Sequence, residues 1–315
     1  MIDVKSTGAK GDGIVDDSPA IQAALDSFQR VYVPAGTYRL GAPLIIRDPS
    51  LVLEGDGWST KLYVNNIDAL QILPIVDSLG GMVLKNFAIT GTPIHGIYIN
   101  LSDASTRHLS DSHIEHIYVA PTTGAAIRLS NATKMDGYFT STIMNCHLNG
   151  GVNLERAGDS VHIEKNTITG PGNGIAIDFV SGAAMSRICN NNVTSRGLGF
   201  KIGAHAYKVL IENNHFEKWD SNSVLTDYTV ILGDNPTAPI EDCIFRNNSI
   251  NPLNNSIHGL AIHASKLLQF EGNRCLGGKS GYGVYLSPSA KTTYIGKHNI
   301  FKGSVLNQGS GTVYE

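Results

Sequence analysis

The stretch "VHIEKNTITGPGNGIAIDF", residues 161–179, holds two short apolar alternations joined by a turn. Ile163 and Ile168 flank Asn166; Gly, Pro and Asn follow; then Ile175 and Ile177 alternate with Ala176 and run into Asp178. Period-two alternation bounded by turn residues reads as strand. The same arrangement recurs along the chain. The pattern apolar-x-x-Asn-x-apolar returns as Ile188/Asn191/Val193, Ile211/Asn214/Phe216, Phe245/Asn248/Ile250 and Phe270/Asn273/Cys275. Copies without the asparagine precede these at Leu84/Phe87/Ile89, Ile114/Ile117/Val119 and Ile143/Cys146/Leu148, and one follows at Ile295/His298/Ile300.

A second pattern trails each copy: "GIYI" at 96, "AIRL" at 126, "GVNL" at 151, "GIAI" at 174, "GFKI" at 199, "TVIL" at 229, "GLAI" at 259 and "GVYL" at 283. Two short strands per repeat cannot close a core alone. Stacked rungs can, because each strand buries alternate side chains and pairs with its equivalents above and below. The repeat therefore predicts an all-β fold, a single-stranded parallel β-helix. Asparagine tolerates left-handed backbone and bonds to its own main chain, so it suits the corner between strands. Stacked corners then form a ladder of amide hydrogen bonds.

The first residues differ. In "DGIVDDSPAIQAALD", Asp17 or Ser18 serves as N-cap, Pro19 enters the first turn, and Ile21, Ala24 and Leu25 make one apolar face. This short helix is expected to cap the open end of the solenoid. The expected organisation is residues 1–60 for the cap helix and first strands, and 61–315 for one continuous run of rungs.

Composition agrees. The 315 residues are 42% hydrophobic and only 16% charged, with 34 glycines and a net charge of −3, which argues against a nucleic-acid footprint. No stretch approaches the roughly 18 apolar residues of a membrane span. "MIDVKSTGAKGDG" lacks the apolar core of a signal peptide. Cys146, Cys189, Cys243 and Cys275 form no CxxC pair and share no column of the repeat, so free, buried thiols and assembly in a reducing compartment are expected.

"GAKGDGIVDDSPAIQAALD", "VYVPAGTYRL" and "LVLEGDG" together resemble the N-terminal signature of the pectate-lyase-like superfamily, in particular the β-helical tailspike and capsule-depolymerase proteins of bacteriophages. The signature spans about the first 57 residues, and the rung pattern extends the likeness over nearly all the rest. The resemblance implies right-handedness and a homotrimer in the virion tail, made in the host cytoplasm, with other tail proteins as partners. A secreted bacterial protein is the alternative location. It implies binding, and often cleavage, of a bacterial surface polysaccharide, with neither nucleic acid nor membrane as partner. Lyases, hydrolases and binders share the fold.

Outward positions of a β-helix form columns, each rung offset by about 4.8 Å. Just after the second strand the column reads Asn100, Ser130, Glu155, Asp178, Gly203, Gly233, His263, Ser287; two residues earlier it reads Tyr98, Arg128, Asn153, Ala176, Lys201, Ile231, Ala261, Tyr285. Glu155 and Asp178 fall on adjacent rungs and are the leading catalytic candidates. Two neighbouring acids, one protonated and one ionised, are what glycoside hydrolysis needs; about 5 Å between them suits retention and about 6.5–9.5 Å inversion. Arg128, Asn153, Lys201, Arg156, Asp159 and Tyr98 are the candidate substrate-binding residues. A second column pairs His113 with Glu115 and His162 with Glu164, two rungs apart at roughly 9.6 Å; these four are the second choice for catalysis. Recast around Arg128, Lys201 and Arg156, the same surface would suit a lyase acting on a uronate. Tyr98, Trp219, Tyr228 and Tyr285 could stack on sugars, and the insertions "WDSNSVLTDYTV" and "DNPTAP" would form a lip. His113 and His116 lack further ligands at zinc spacing, so no metal and no cofactor is expected.

Overall fold

The computed structural model describes residues 1–74, 80–101, 109–130, 138–170, 172–179, 184–218, 228–252, 258–277 and 282–314. The chain forms two compact units, Met1–Arg156 and Ala157–Glu315.

In the second unit short parallel strands stack in three columns. The first holds His162–Glu164, Arg187–Cys189, Leu210–Glu212, Ile244–Arg246, Leu268–Glu271 and Thr293–Ile295. The second holds Thr167–Gly170, Asn192–Ser195, His215–Lys218, Ser249–Pro252, Arg274–Leu276 and Ile300–Lys302. The third holds Ile175–Phe179, Phe200–Ile202, Tyr228–Leu232, His258–Ile262, Tyr282–Leu286 and Ser304–Asn307. Each turn thus carries three strands where the sequence suggests two, because the asparagine corner splits the first alternation.

The corner itself corrects a second expectation. The left-handed residue is the one before the asparagine: Lys165 (φ 57°), Asn190 (60°), Asn213 (56°), Asn247 (55°) and Gly272 (62°). The asparagine contributes its amide instead. Asn166 Nδ2 donates to Asn191 Oδ1 at 3.0 Å, Asn191 to Asn214 at 2.9 Å, Asn214 to Asn248 at 2.9 Å and Asn248 to Asn273 at 3.1 Å. Each amide from Asn191 to Asn273 also donates to the main-chain carbonyl that opens the preceding rung, as Asn214 Nδ2 does to Ile188 O at 2.8 Å. The ladder ends on Asn299, not on His298, since Asn273 Nδ2 donates to Asn299 Oδ1 at 3.2 Å. One extra residue in "GKHN" shifts the last rung, so Cys275 pairs with Phe301 and Ile300 is left 62% exposed.

Inside this unit Phe200, Phe216, Phe245, Phe270 and Phe301 stack ring on ring, with Phe245 and Phe270 at 5.3 Å and 4°. Parallel register places Phe270 directly over Phe245, whereas Phe200, Phe216 and Phe301 reach the stack from the other strand columns; aromatic pairs of this kind stabilise by about 0.5–1.5 kcal/mol beyond their burial.

In the first unit Leu44–Ile46, Leu70–Ile72, Ile97–Asn100, Ile127–Ser130 and Val152–Ala157 stack in parallel. Val83–Thr92 pairs with His113–Val119, which pairs with Thr142–Met144 and His147–Asn149. Here Phe87, Ile117 and Cys146 occupy the corner that asparagine takes later, again preceded by left-handed Asn86, His116 and Asn145. The helix Ser18–Ser27 buries Ile21, Ala24 and Leu25 as expected. Asp17 occupies the N-cap position without a side-chain cap bond; its carboxylate instead accepts from Lys10 N and Gly11 N. Asp16 Oδ1 accepts from Ser18 N at 3.0 Å and does the capping. Gln22 closes the end of the stack: its amide donates to Ile45 O and accepts from Ile45 N, as a neighbouring strand would. All four cysteines are free and buried, and burial pushes the Cys146 and Cys243 thiols up to about 12.

Candidate active site

The outward columns read from the sequence are real registers. Tyr98 pairs with Arg128 and Arg128 with Asn153 in the first unit; Ala176 pairs with Lys201, Lys201 with Ile231, Ile231 with Ala261 and Ala261 with Tyr285 in the second. Glu155 belongs to the first unit and Asp178 to the second, and each has its own surroundings.

In the second unit Asp178 meets another aspartate. Gly203 stands one rung on from Asp178, and its lack of a side chain leaves room that the Asp178 carboxylate fills. A Cβ built there would overlap Asp178 Oδ1 and come within 3.1 Å of Asp234 Oδ1. The two Oδ1 atoms therefore converge over Gly203, no further apart than the roughly 5–5.5 Å of retaining glycosidase carboxylates. Asp178 has no hydrogen bond or ion pair with the described residues. Asp234 Oδ2 takes an ion pair from Lys201 Nζ at 2.6 Å, which occupies the cation expected to hold substrate.

Asp234 opens the insertion "DNPTAP" and follows Gly233, whose left-handed φ of 69° turns the chain out of the strand. An Asx turn then fixes the insertion, with Asn235 Oδ1 accepting from Thr237 N at 3.0 Å and Thr237 Oγ1 at 2.7 Å. His263 lies further along the same column. Burial pushes its imidazole below the ordinary range, against the upward pull of Asp234. Tyr228 and Tyr285 stack at 6.1 Å, and both turn toward the His263 ring at 5.9 Å. Trp219 and residues 220–227 of the other insertion lie outside the described residues.

In the first unit Glu155 Oε1 accepts from Arg128 Nη2 at 3.1 Å, and Glu155 Oε2 from Ser130 Oγ at 3.5 Å. Tyr98, beside Arg128 on the neighbouring strand, faces the His95 ring at 5.3 Å. His95 Nδ1 pairs with Asp68 Oδ1 at 2.8 Å, both side chains nearly buried, and Gln71 Nε2 holds Asp68 Oδ2 at 2.8 Å. Burial pushes the Asp68 carboxyl up, but bonds from His95 and Gln71 and the His95 charge outweigh it and hold it below the ordinary range. Gly124 packs against His95 Nε2 and leaves it room.

Two other sequence candidates, Asp159 and Arg156, hold places in the backbone's turns. Asp159 Oδ1 accepts from the Ala184 main chain, and Arg156 takes a left-handed φ of 61° at a corner. His113 and Glu115 lie in the first unit, beside Thr142 and Met144; His162 and Glu164 lie in the second, beside Arg187 and Cys189. Sequence reading missed Asp68, His95 and Asp234 and left His263 unassigned. Asp68 and His95 share the position two before paired strands "LQI" and "IYI", a register that the repeat contains. Asp234 carries a weaker signal, two glycines in the Asp178 column followed by an acid.

Residues 1–224 match the family described as rhamnogalacturonase A/epimerase, pectate lyase-like, and residues 140–314 match the right-handed β-helix region. A glucan 1,3-beta-glucosidase of Cochliobolus carbonum is 28% identical over 218 residues, 62% of this chain. The match covers 24% of that relative, so the chain spans about a quarter of its length. The A-module of the Azotobacter vinelandii mannuronan C-5 epimerase AlgE4 superposes with a TM-score of 0.68 at 17% identity, covering 99% of this chain and 97% of that one. Tailspike protein 3 of bacteriophage CBA120 gives 0.56 at 10% identity, covering 100% of this chain and 57% of that one. At these identities the solved structures share the fold. The family matches cover more than half of the chain each, and the chain belongs to the rhamnogalacturonase A/epimerase, pectate lyase-like family of right-handed parallel β-helix proteins.

Proposed function

We propose that this chain hydrolyses a bacterial surface polysaccharide, capsule or O-antigen, as a depolymerase of the phage tailspike type, and that Asp178 and Asp234 are its catalytic carboxylates. The observation that carries this reading is their convergence over Gly203, with one acid in an ion pair and the other without a partner among the described residues. Asp178, unpaired, donates a proton to the leaving glycosidic oxygen. Asp234, held by Lys201, attacks the anomeric carbon as that bond breaks. Water, deprotonated by Asp178, then displaces Asp234 and restores both acids, with net retention. The homotrimer and the virion tail are part of the same proposal, supported by the fold shared with tailspike proteins.

A second reading has its own observation. Asp68 orients His95, Tyr98 lies against that ring, and Arg128 stands beside Tyr98. A base and an acid so arranged suit proton removal beside a uronate carboxylate, giving β-elimination, with Arg128 exchanging Glu155 for that carboxylate. The fold shared with a mannuronan C-5 epimerase points the same way.

Product analysis after incubation with capsule and O-antigen preparations separates the two. New reducing ends without absorbance near 235 nm (roughly, for an unsaturated uronate), abolished by Asp178→Asn and Asp234→Asn, support hydrolysis. Unsaturated ends, abolished by His95→Gln and spared by Asp178→Asn, replace it with the lyase reading. Binding without fragments removes both.

A further inference from the structure

Outward positions on a solvated strand are normally polar, yet on this face of the second unit the strand residues Ile231 and Ala261, and Leu198 in the turn before Phe200–Ile202, are apolar and covered. Leu198 is 4% exposed, Ile231 8% and Ala261 0%. Tyr228 and Tyr285 lie over them. Their rings stack at 22°, and Tyr285 Oη donates to Gln308 Oε1 at 3.2 Å, which fixes its ring. His263 presents an edge to both rings, at 88° to Tyr228 and 70° to Tyr285, and lies close enough to Asp234 to feel its charge. The aromatic pair is thus continuous with the carboxylates through one histidine.

Charge selects what fits there. Along the row Lys201, Ile231, Ala261, Tyr285 the one cation is Lys201, and Asp234 occupies it. A uronate in this place would meet Asp178 and Asp234 with no unspent cation among the described side chains of the row. A neutral pyranose meets no such repulsion, and its C–H face matches the flat, rigid ring surface. Following from the reading of Asp178 and Asp234 as the catalytic pair, we propose that Tyr228 and Tyr285 form the adjoining subsite and that it takes a neutral sugar residue by ring stacking.

The test reads binding, with Asp178→Asn protein on an array of defined bacterial oligosaccharides, some wholly neutral and some containing uronate. Retention on neutral glycans is expected, falling about tenfold or more for Tyr285→Ala, which corresponds to about 1.4 kcal/mol. Tyr285→Leu keeps the apolar cover but not the ring, so it too should lose binding, while Tyr285→Phe should stay within about threefold. Circular dichroism checks that each variant is folded. Retention confined to uronate glycans, retention on none, or full binding by Tyr285→Leu overturns the proposal. Because cleavage is not read, wild-type protein that binds through Tyr285 but releases no fragments would defeat the hydrolase reading alone.

Discussion

Replacing Gly203 with alanine puts a single methyl group where Asp178 and Asp234 meet. The backbone accepts it, since Gly203 lies outside the left-handed region that favours glycine. The side chains do not: the new Cβ overlaps Asp178 Oδ1, sits 2.8 Å from Asp178 Cγ and 3.1 Å from Asp234 Oδ1. The Asp178 carboxylate is the free end of a side chain, so it swings aside by on the order of 1 Å, and a misplacement of that size costs about 100-fold in rate. Gly203 is buried, but the clashing atoms end a half-buried side chain that can move, so the strain stays below the ~1–3 kcal/mol of an overpacked core. Gly203→Ala should therefore lose about 100-fold in release of reducing ends while its melting temperature stays within a few degrees. Gly233→Ala is the contrast. Its φ is 69°, and a Cβ there would run into the Ala264 carbonyl, which is main chain and cannot swing away. That variant should lose stability first. Wild-type turnover in Gly203→Ala would refute the assignment of the carboxylate pair.

Three further outcomes follow from groups elsewhere in the molecule. Asn214→Ala orphans the Ile188 carbonyl, the Asn191 N–H and one Asn191 amide hydrogen; at ~1–3 kcal/mol each, about 3–9 kcal/mol of stability should go, read as a lower urea midpoint. The exposed Asn192→Ala serves as the control and should change little. His263 is held below its ordinary 6.5, so between those values the unfolded chain binds more protons than the folded one. Stability should then fall as pH drops through that window, and His263→Phe should flatten this part of the melting profile. Asp68 is held below its ordinary 3.8, so its contribution is present above that value and is lost as pH falls beneath it. Asp68→Asn should remove that acid-limb dependence, and a steep limb that survives would assign it to other carboxylates.

How much of this the sequence reveals depends on whether a feature repeats. The rungs are legible because register in a parallel stack puts each Ile, Phe or Asn above its own kind, and burial punishes a departure at every level. The ladder from Asn166 to Asn273 is legible for the same reason. The left-handed corner residue is not: Lys165, Asn190 and Gly272 share a conformation without sharing chemistry, since neighbours on either side impose the turn. The shift from His298 to Asn299 is hidden too, because the amide of Asn273 takes whichever asparagine the extra residue brings within reach. Columns also told more about backbone than about side chains. They placed Arg128 in the row next to Glu155 and Lys201 one rung on from Asp178, but not that each cation is spent on an acid, Arg128 on Glu155 and Lys201 on Asp234. The candidate site forms where the repeat lapses. Gly203 and Gly233 remove side chains from the column, Gly233 turns the chain outward, and Asp234, off the repeat altogether, reaches back to Asp178 across the space the glycines leave. A periodic scaffold supplies the rigidity that holds one carboxylate; the second must come from an interruption, because a group placed by the same column would point parallel to the first instead of toward it.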